Sequence, residues 1–90
     1  MSEKVVLERV YTIPLGEVYF LQRTKRASRA MRKIREFVMR HVKPEEVVID
    51  NSVNEYVWSR GMEKPPRRIR VKVVKTEDGV AKVTLFEGKQ

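Results

Sequence analysis

The 90-residue sequence contains no cysteine. That single absence removes disulfide staples, thiolate metal sites and cysteine nucleophiles together. Histidine occurs once, as His41, and no serine sits in the setting of a nucleophile, so acid–base and acyl-transfer chemistry lack their parts. Glu45, Glu46 and Asp50 imitate a carboxylate group on paper. As near neighbours in sequence they do not converge on one atom, and they read as polar residues around a strand. Neither a metal nor a cofactor is expected. No apolar run approaches the roughly 20 residues of a membrane-spanning helix, and the opening MSEKVVLERV carries acids where a signal peptide has its apolar core. A cytoplasmic protein without membrane insertion is therefore expected. Acids are also scarce: 12 Asp and Glu stand against 20 Lys and Arg, a net charge of +8, with a pI near 10.1. An imbalance of that sign favours a polyanionic partner, either nucleic acid or an anionic membrane surface. The length allows one domain over residues 1–90 with a modest core, ordered from about 5 to 86 between short polar termini.

What the chain does have is concentrated in residues 23–41, RTKRASRAMRKIREFVMRH. Ala27, Ala30, Met31, Ile34, Phe37 and Val38 recur at three- and four-residue steps, which places them on one side of an α-helix. At about 100° per residue, Arg29, Lys33 and Arg40 fall opposite, flanked by Arg26 and Arg32. Solvated helix faces normally mix both signs in i,i+4 pairs. Here Glu36 alone faces Arg23, Lys25, Arg26, Arg29, Arg32, Lys33, Arg35 and Arg40. Self-repulsion of that size implies a partner that neutralises it.

Around this helix the pattern predicts strands and one shorter helix. Val5 to Ile13 is β-rich, with Val5, Leu7, Tyr11 and Ile13 on one face and Val6, Glu8, Val10 and Thr12 on the other. Pro14 and Gly16 end it, and Glu17 to Gln22 fits either a short strand or a turn over the core. The long helix stops before Pro44. Glu45 to Asn51 reads as a short buried strand. Ser52-Val53-Asn54-Glu55 has the S-x-x-E form of a capping box, so a helix is expected from about Val53 to Arg60, with Gly61 as its left-handed terminator. After Pro65 and Pro66, Arg67 to Lys75 alternates with Ile69, Val71 and Val73 inward and Arg68, Arg70, Lys72 and Val74 outward. Asp78-Gly79 signals a turn, and Val80 to Phe86 returns as the last strand of a hairpin. The order is β-α-β-α-β-β: an α+β domain with the long basic amphipathic helix packed on a small mixed sheet.

Charge follows a second concentration. Residues 60–75 add Arg60, Lys64, Arg67, Arg68, Arg70, Lys72 and Lys75, so the two stretches hold fifteen of the twenty basic residues and only the acids Glu36 and Glu63. Arginine forks match phosphate oxygens in pairs of hydrogen bonds. Nothing resembles a zinc finger, a Walker loop, a helix-turn-helix pair or an RNA-recognition consensus. Backbone and shape readout of folded RNA is the expectation, with no DNA target. The candidate RNA-binding residues are Arg23, Lys25, Arg26, Arg29, Arg32, Lys33, Arg40, Arg60, Lys64, Arg67, Arg68, Arg70 and Lys72. Trp58 is either a cover for the core edge, the reading the thin apolar face of its helix favours, or a platform for a base or a neighbouring protein. On these residues alone, a free RNA- or DNA-binding module outside any large assembly stands beside a structural role within one.

Three segments carry a specific resemblance: RTKRASRAMRKIREF, VIDNSVNEYVWSRG and PPRRIRVKV. Together they resemble the archaeal form of the large-subunit ribosomal protein L31e family over about Val5 to Leu85. The shared patterns are K-R-A-x-R-A, I-D-x-x-V-N-x-x-V-W-x-x-G and P-x-R-I-R-V. Ser28 departs from the proline that many members carry in the first helical turn, and Val18 to Leu21 is more apolar than usual, which leaves open where the helix begins and what covers Tyr19 and Phe20. The resemblance implies a structural, non-enzymatic protein of the large ribosomal subunit. It further implies binding to large-subunit rRNA near the polypeptide exit tunnel, beside other ribosomal proteins and within reach of nascent-chain factors.

Overall fold

The alternation in Val5–Pro14 produces a ten-residue strand, β1, that carries Leu7, Tyr11 and Ile13 to the core and leaves Val6 and Val10 exposed. The computed structural model describes residues 4–86; the polar termini expected beyond about 5 and 86 lie outside these residues, apart from Lys4. A 3₁₀ turn over Gly16–Phe20 and a second over Arg23–Lys25 lead into helix α1, Arg26–Val42. Strand β2 is Glu46–Ile49, helix α2 Asn51–Trp58, β3 Arg68–Thr76 and β4 Val80–Leu85. The expected β-α-β-α-β-β order holds. The sheet runs β1-β3-β4-β2, antiparallel except for the β2–β4 pair, and is therefore mixed.

Burial divides the sheet cleanly into two faces. Ile13, Ile69, Val71, Val73, Ala81, Val83 and Val47 are buried on one face, where they meet Ala27, Ala30, Ile34, Val38 and Val42 of α1 and Val53 and Val57 of α2. On the opposite face Arg68, Arg70, Lys82, Val10 and Val48 are exposed. Registers such as Tyr11↔Val71, Ile13↔Ile69 and Val73↔Val83 keep the apolar side chains in step across the strands, because a one-residue slip would turn them all outward. The hairpin between β3 and β4 closes with Gly79 N–H donating to Thr76 O at 3.0 Å. Gly79 has φ +91°, a conformation that favours glycine, and a Cβ there would crowd the Glu45 side chain at 3.1 Å, which would have to shift slightly.

Several boundaries differ from expectation for identifiable reasons. The start of the basic stretch, Arg23–Lys25, is a 3₁₀ turn, and α1 runs from Arg26 through Val42. Its first turn has no side-chain cap; instead Ala27 N–H donates to Met62 O at 3.1 Å, a cap supplied by a distant loop. The helix ends on Lys43, which adopts φ 55° and donates to Met39 O, with Pro44 next. The ambiguous segment 17–22 is a turn. Helix α2 is capped by Asp50 rather than Ser52: the Asp50 carboxylate accepts from Ser52 N–H at 3.0 Å, while Asn51 Nδ2 donates to Glu55 Oε2 at 2.8 Å. The Ser52 hydroxyl instead accepts from Leu85 N–H at 3.3 Å and joins α2 to β4. An aspartate two positions earlier out-competes the serine because a charged acceptor makes the stronger cap bond. The helix runs Asn51–Trp58 rather than from Val53 to Arg60, with Ser59 at its C-cap, so Gly61 has the expected left-handed φ, +92°, but lies three residues past Trp58.

Two predictions test this architecture. Ile34 is fully buried, so Ile34→Ala is expected to cost about 2–5 kcal/mol in chemical denaturation; an unchanged midpoint would remove Ile34 from the core. Hydrogen bonding from Ser52, through its side chain first and its backbone N–H second, holds the Asp50 carboxyl below its ordinary value of 3.8. A lowered folded value means that the cap stabilises fully above the unfolded range and is lost as pH falls through the folded value. The stability advantage of wild type over Asp50→Ala should thus be complete at neutral pH and shrink on acidification. An advantage independent of pH would show that the carboxylate charge plays no part.

Candidate nucleic-acid interface

Helix α1 presents two chemically different flanks. On the side toward β2, Lys25, Ser28, Arg29, Met31, Arg32 and Arg35 join Ile49 to form an open groove of about 770 Å³. Four cations line it and no acid does. On the side toward β1, the concavities include Glu17, Glu36, Lys33, Arg40, Phe37 and His41. There Lys33 Nζ lies 3.1 Å from Glu17 Oε2, and the Arg32–Glu36 pair is looser at 3.7 Å, with both side chains largely in water. The groove toward β2 is thus lined by cations without an acid, the side toward β1 is mixed in sign, and Arg29 and Arg32 border both. His41 is exposed and stacks on Phe37 with ring centroids 4.0 Å apart, and Tyr11 packs edge-on to Phe37 at 5.5 Å.

The second basic element is the connector from the end of α2 to β3. Tyr56, Ser59, Arg60, Lys64, Pro66, Arg67 and Arg68 enclose a pocket of about 420 Å³. Its walls are tied to the start of α1 by one aromatic ring. Tyr19 meets two guanidinium groups, Arg26 at 4.8 Å and Arg67 at 4.5 Å from its centroid, and its hydroxyl donates to Pro65 O. Arg26 also donates to the carbonyls of Tyr19 (3.1 Å), Glu63 (3.2 Å) and Leu21 (3.3 Å). Leu15 N–H donates to Arg67 O at 2.7 Å and extends the same seam to the end of β1.

The third element is the open sheet face. Arg68 and Arg70 project from β3 into solvent, and Arg70 lies over the Phe86 ring at 5.9 Å. Lys72 is half-buried and paired with Glu8 at 2.9 Å.

Comparison with known proteins decides the family. Residues 5–79 match the model of ribosomal protein L31e. The chain belongs to the ribosomal protein L31e family. It is 57% identical over 82 residues to the large ribosomal subunit protein eL31 of Hyperthermus butylicus, covering 88% of this chain and 82% of that one. The protein of the same name from Methanocaldococcus jannaschii is 56% identical over 88 residues, 97% of this chain and all of the relative. That from Methanopyrus kandleri is 51% identical over 84 residues, 93% and 98% of the two chains. Membership makes this L31e protein a ribosomal protein and not an enzyme. Among the described residues no group of acids and histidine could hold a metal ion, and no helix is long and apolar enough to cross a membrane.

Set on this L31e fold, the residues singled out from sequence separate into groups. Lys25, Arg29 and Arg32 share the α1 groove; Arg60, Lys64, Arg67 and Arg68 share the connector pocket. Lys33 and Arg40 lie on the mixed flank, and Arg70 and Lys72 on the sheet face. Arg23 is exposed in the turn ahead of α1. Arg26 differs in kind, since its donors are committed to backbone carbonyls. Sequence reasoning missed Arg35, which sits off the centre of the polar face on a helical wheel yet lines the groove because β2 passes beside that flank. It also missed Tyr56 as a pocket wall. Phe20 is covered by nothing and is 92% exposed, while Val18 and Leu15 beside it are fully buried. Trp58 remains 39% exposed, so the expected seal over the core edge is incomplete. Its fluorescence in the free protein should therefore be quenched by iodide; full protection would restore the sealing role.

Proposed function

We propose that the chain binds large-subunit rRNA as a structural component of the large ribosomal subunit, near the polypeptide exit tunnel, and supports translation there. The observation that carries the rRNA reading is the acid-free groove of Lys25, Arg29, Arg32 and Arg35 along α1. Four cations on one flank of a rigid helix match a run of phosphates, and each phosphate they neutralise releases counterions. Arg68 and Arg70 extend the positive surface around the connector, which suits a folded RNA that meets the protein from more than one side. The relatives are named as proteins of the large ribosomal subunit, which supports the subunit role; the tunnel-exit position, with neighbouring ribosomal proteins and nascent-chain factors as partners, is proposed on the family resemblance alone. Lys33 and Lys72 take a lesser part because Glu17 and Glu8 already balance them.

The two flanks of α1 provide the test. Arg29→Gln with Arg32→Gln and Arg35→Gln is expected to weaken binding to folded rRNA strongly and to flatten its salt dependence by about one in slope per lost phosphate contact. Lys33→Gln with Arg40→Gln should do much less. Circular dichroism should remain native for both, since all five side chains point away from the core. Equal losses from the two sets would remove the groove from the interface. Wild-type protein that leaves the large subunit in a high-salt wash, while still binding RNA or DNA freely, would replace the ribosomal role with that of a free nucleic-acid-binding module.

A further inference from the structure

The two basic concavities are built from different materials. The α1 groove is lined by cations, one hydroxyl and the aliphatic Met31 and Ile49. The connector pocket adds a ring: Tyr56, 42% exposed, stands in its wall with Pro66, beside Arg60, Lys64 and Arg68. Among the described residues no acid lies within ion-pair distance of those three cations. The pocket's volume of about 420 Å³ falls within the range of about 300–1,000 Å³ typical of small-ligand sites.

From this we infer that the connector pocket captures a single unpaired nucleotide of RNA, its base on the Tyr56 ring and its flanking phosphates on Arg60, Lys64 and Arg68. The inference deepens the rRNA-binding role and rests on it. A base held in a duplex offers a protein only its edge, whereas a splayed-out base offers its π-face to an aromatic platform. Cations alone would accept any phosphate; the ring makes the pocket selective for a base next to one. The pocket keeps its shape because Arg67, which lines it, lies over the Tyr19 ring, and Pro65 is buried and bonded to the same tyrosine. The Ser59 hydroxyl donates to Tyr56 O at 2.8 Å and fixes the backbone that carries the ring.

The test compares an octamer of adenylate with an octamer of abasic ribose phosphates, so that phosphate count cancels and only the bases differ. Wild type is expected to prefer the adenylate octamer by roughly five- to hundred-fold, the usual worth of one stacked base. Tyr56→Leu should abolish that preference without changing affinity for the abasic octamer or for duplex RNA, and Tyr56→Phe should retain it. A wild type without the preference, or a Tyr56→Leu variant that keeps it, would overturn the pocket assignment while leaving the rRNA role standing on duplex and subunit binding. Failure to bind either octamer or duplex RNA would overturn both.

Discussion

The arrangement of charge on this protein depends on the stack of Arg26, Tyr19 and Arg67. Two cations are brought together on one ring against their mutual repulsion. The ring's negative faces, its hydroxyl bond to Pro65 and the carbonyls around Arg26 compensate for it. Arg26 opens α1, Arg67 leads into β3, and Tyr19 lies in the turn between β1 and α1. One ring therefore fixes three segments, and with them the separation of the two basic concavities. Without it, the first turn of α1 would have only the Met62 carbonyl to orient it, since no side chain caps that end.

Not every cation is equally free to meet a partner. Arg26 is half-buried and satisfied by carbonyls; Arg67 is stacked; Lys33 and Lys72 each have a carboxylate near. Lys75, on the core side of β3, donates to Val42 O at 3.4 Å. Among the described residues Lys25, Arg29 and Arg35 on α1 and the connector set Arg60, Lys64 and Arg68 have no ion pair, and Arg32 has only the loose, exposed contact with Glu36. A count of basic residues therefore overstates the contacts available, and the geometry of the acids shows which ones remain. Exposed ion pairs contribute little to stability, so Glu17 and Glu8 matter more for locally cancelling the positive field than for holding the fold.

Much of the fold was legible because its signals are periodic. The alternation in β3, the three- and four-residue spacing of α1 and the Asp78-Gly79 turn each specify local geometry without knowledge of the rest, and all three hold. The α2 cap was misread because Asp50 and Ser52 both satisfy local capping chemistry. Only the position of Leu85 N–H on a neighbouring strand gives the serine another use. The roles of Arg26 and Tyr19 were not legible for a similar reason. An arginine inside a basic run looks like its neighbours until the carbonyls of residues 19, 21 and 63 converge on it, and Glu63 is 37 positions away. Arg35 follows the same rule, because a helical wheel does not know which flank lies beside β2.

The site divides along the same line. Basic composition is a property of sequence, and its two concentrations lie in the stretches that line the concavities. Selectivity is a property of what stands between the cations, and that depends on contacts made across the fold. In the α1 groove the intervening surface is Met31, Ile49 and the Ser28 hydroxyl, which offer no ring face. In the connector pocket it is Tyr56 and Pro66, held by a loop whose shape depends on Tyr19, far away in sequence. The two surfaces thus differ in the side chains that stand among their cations, though both look alike as runs of arginine and lysine.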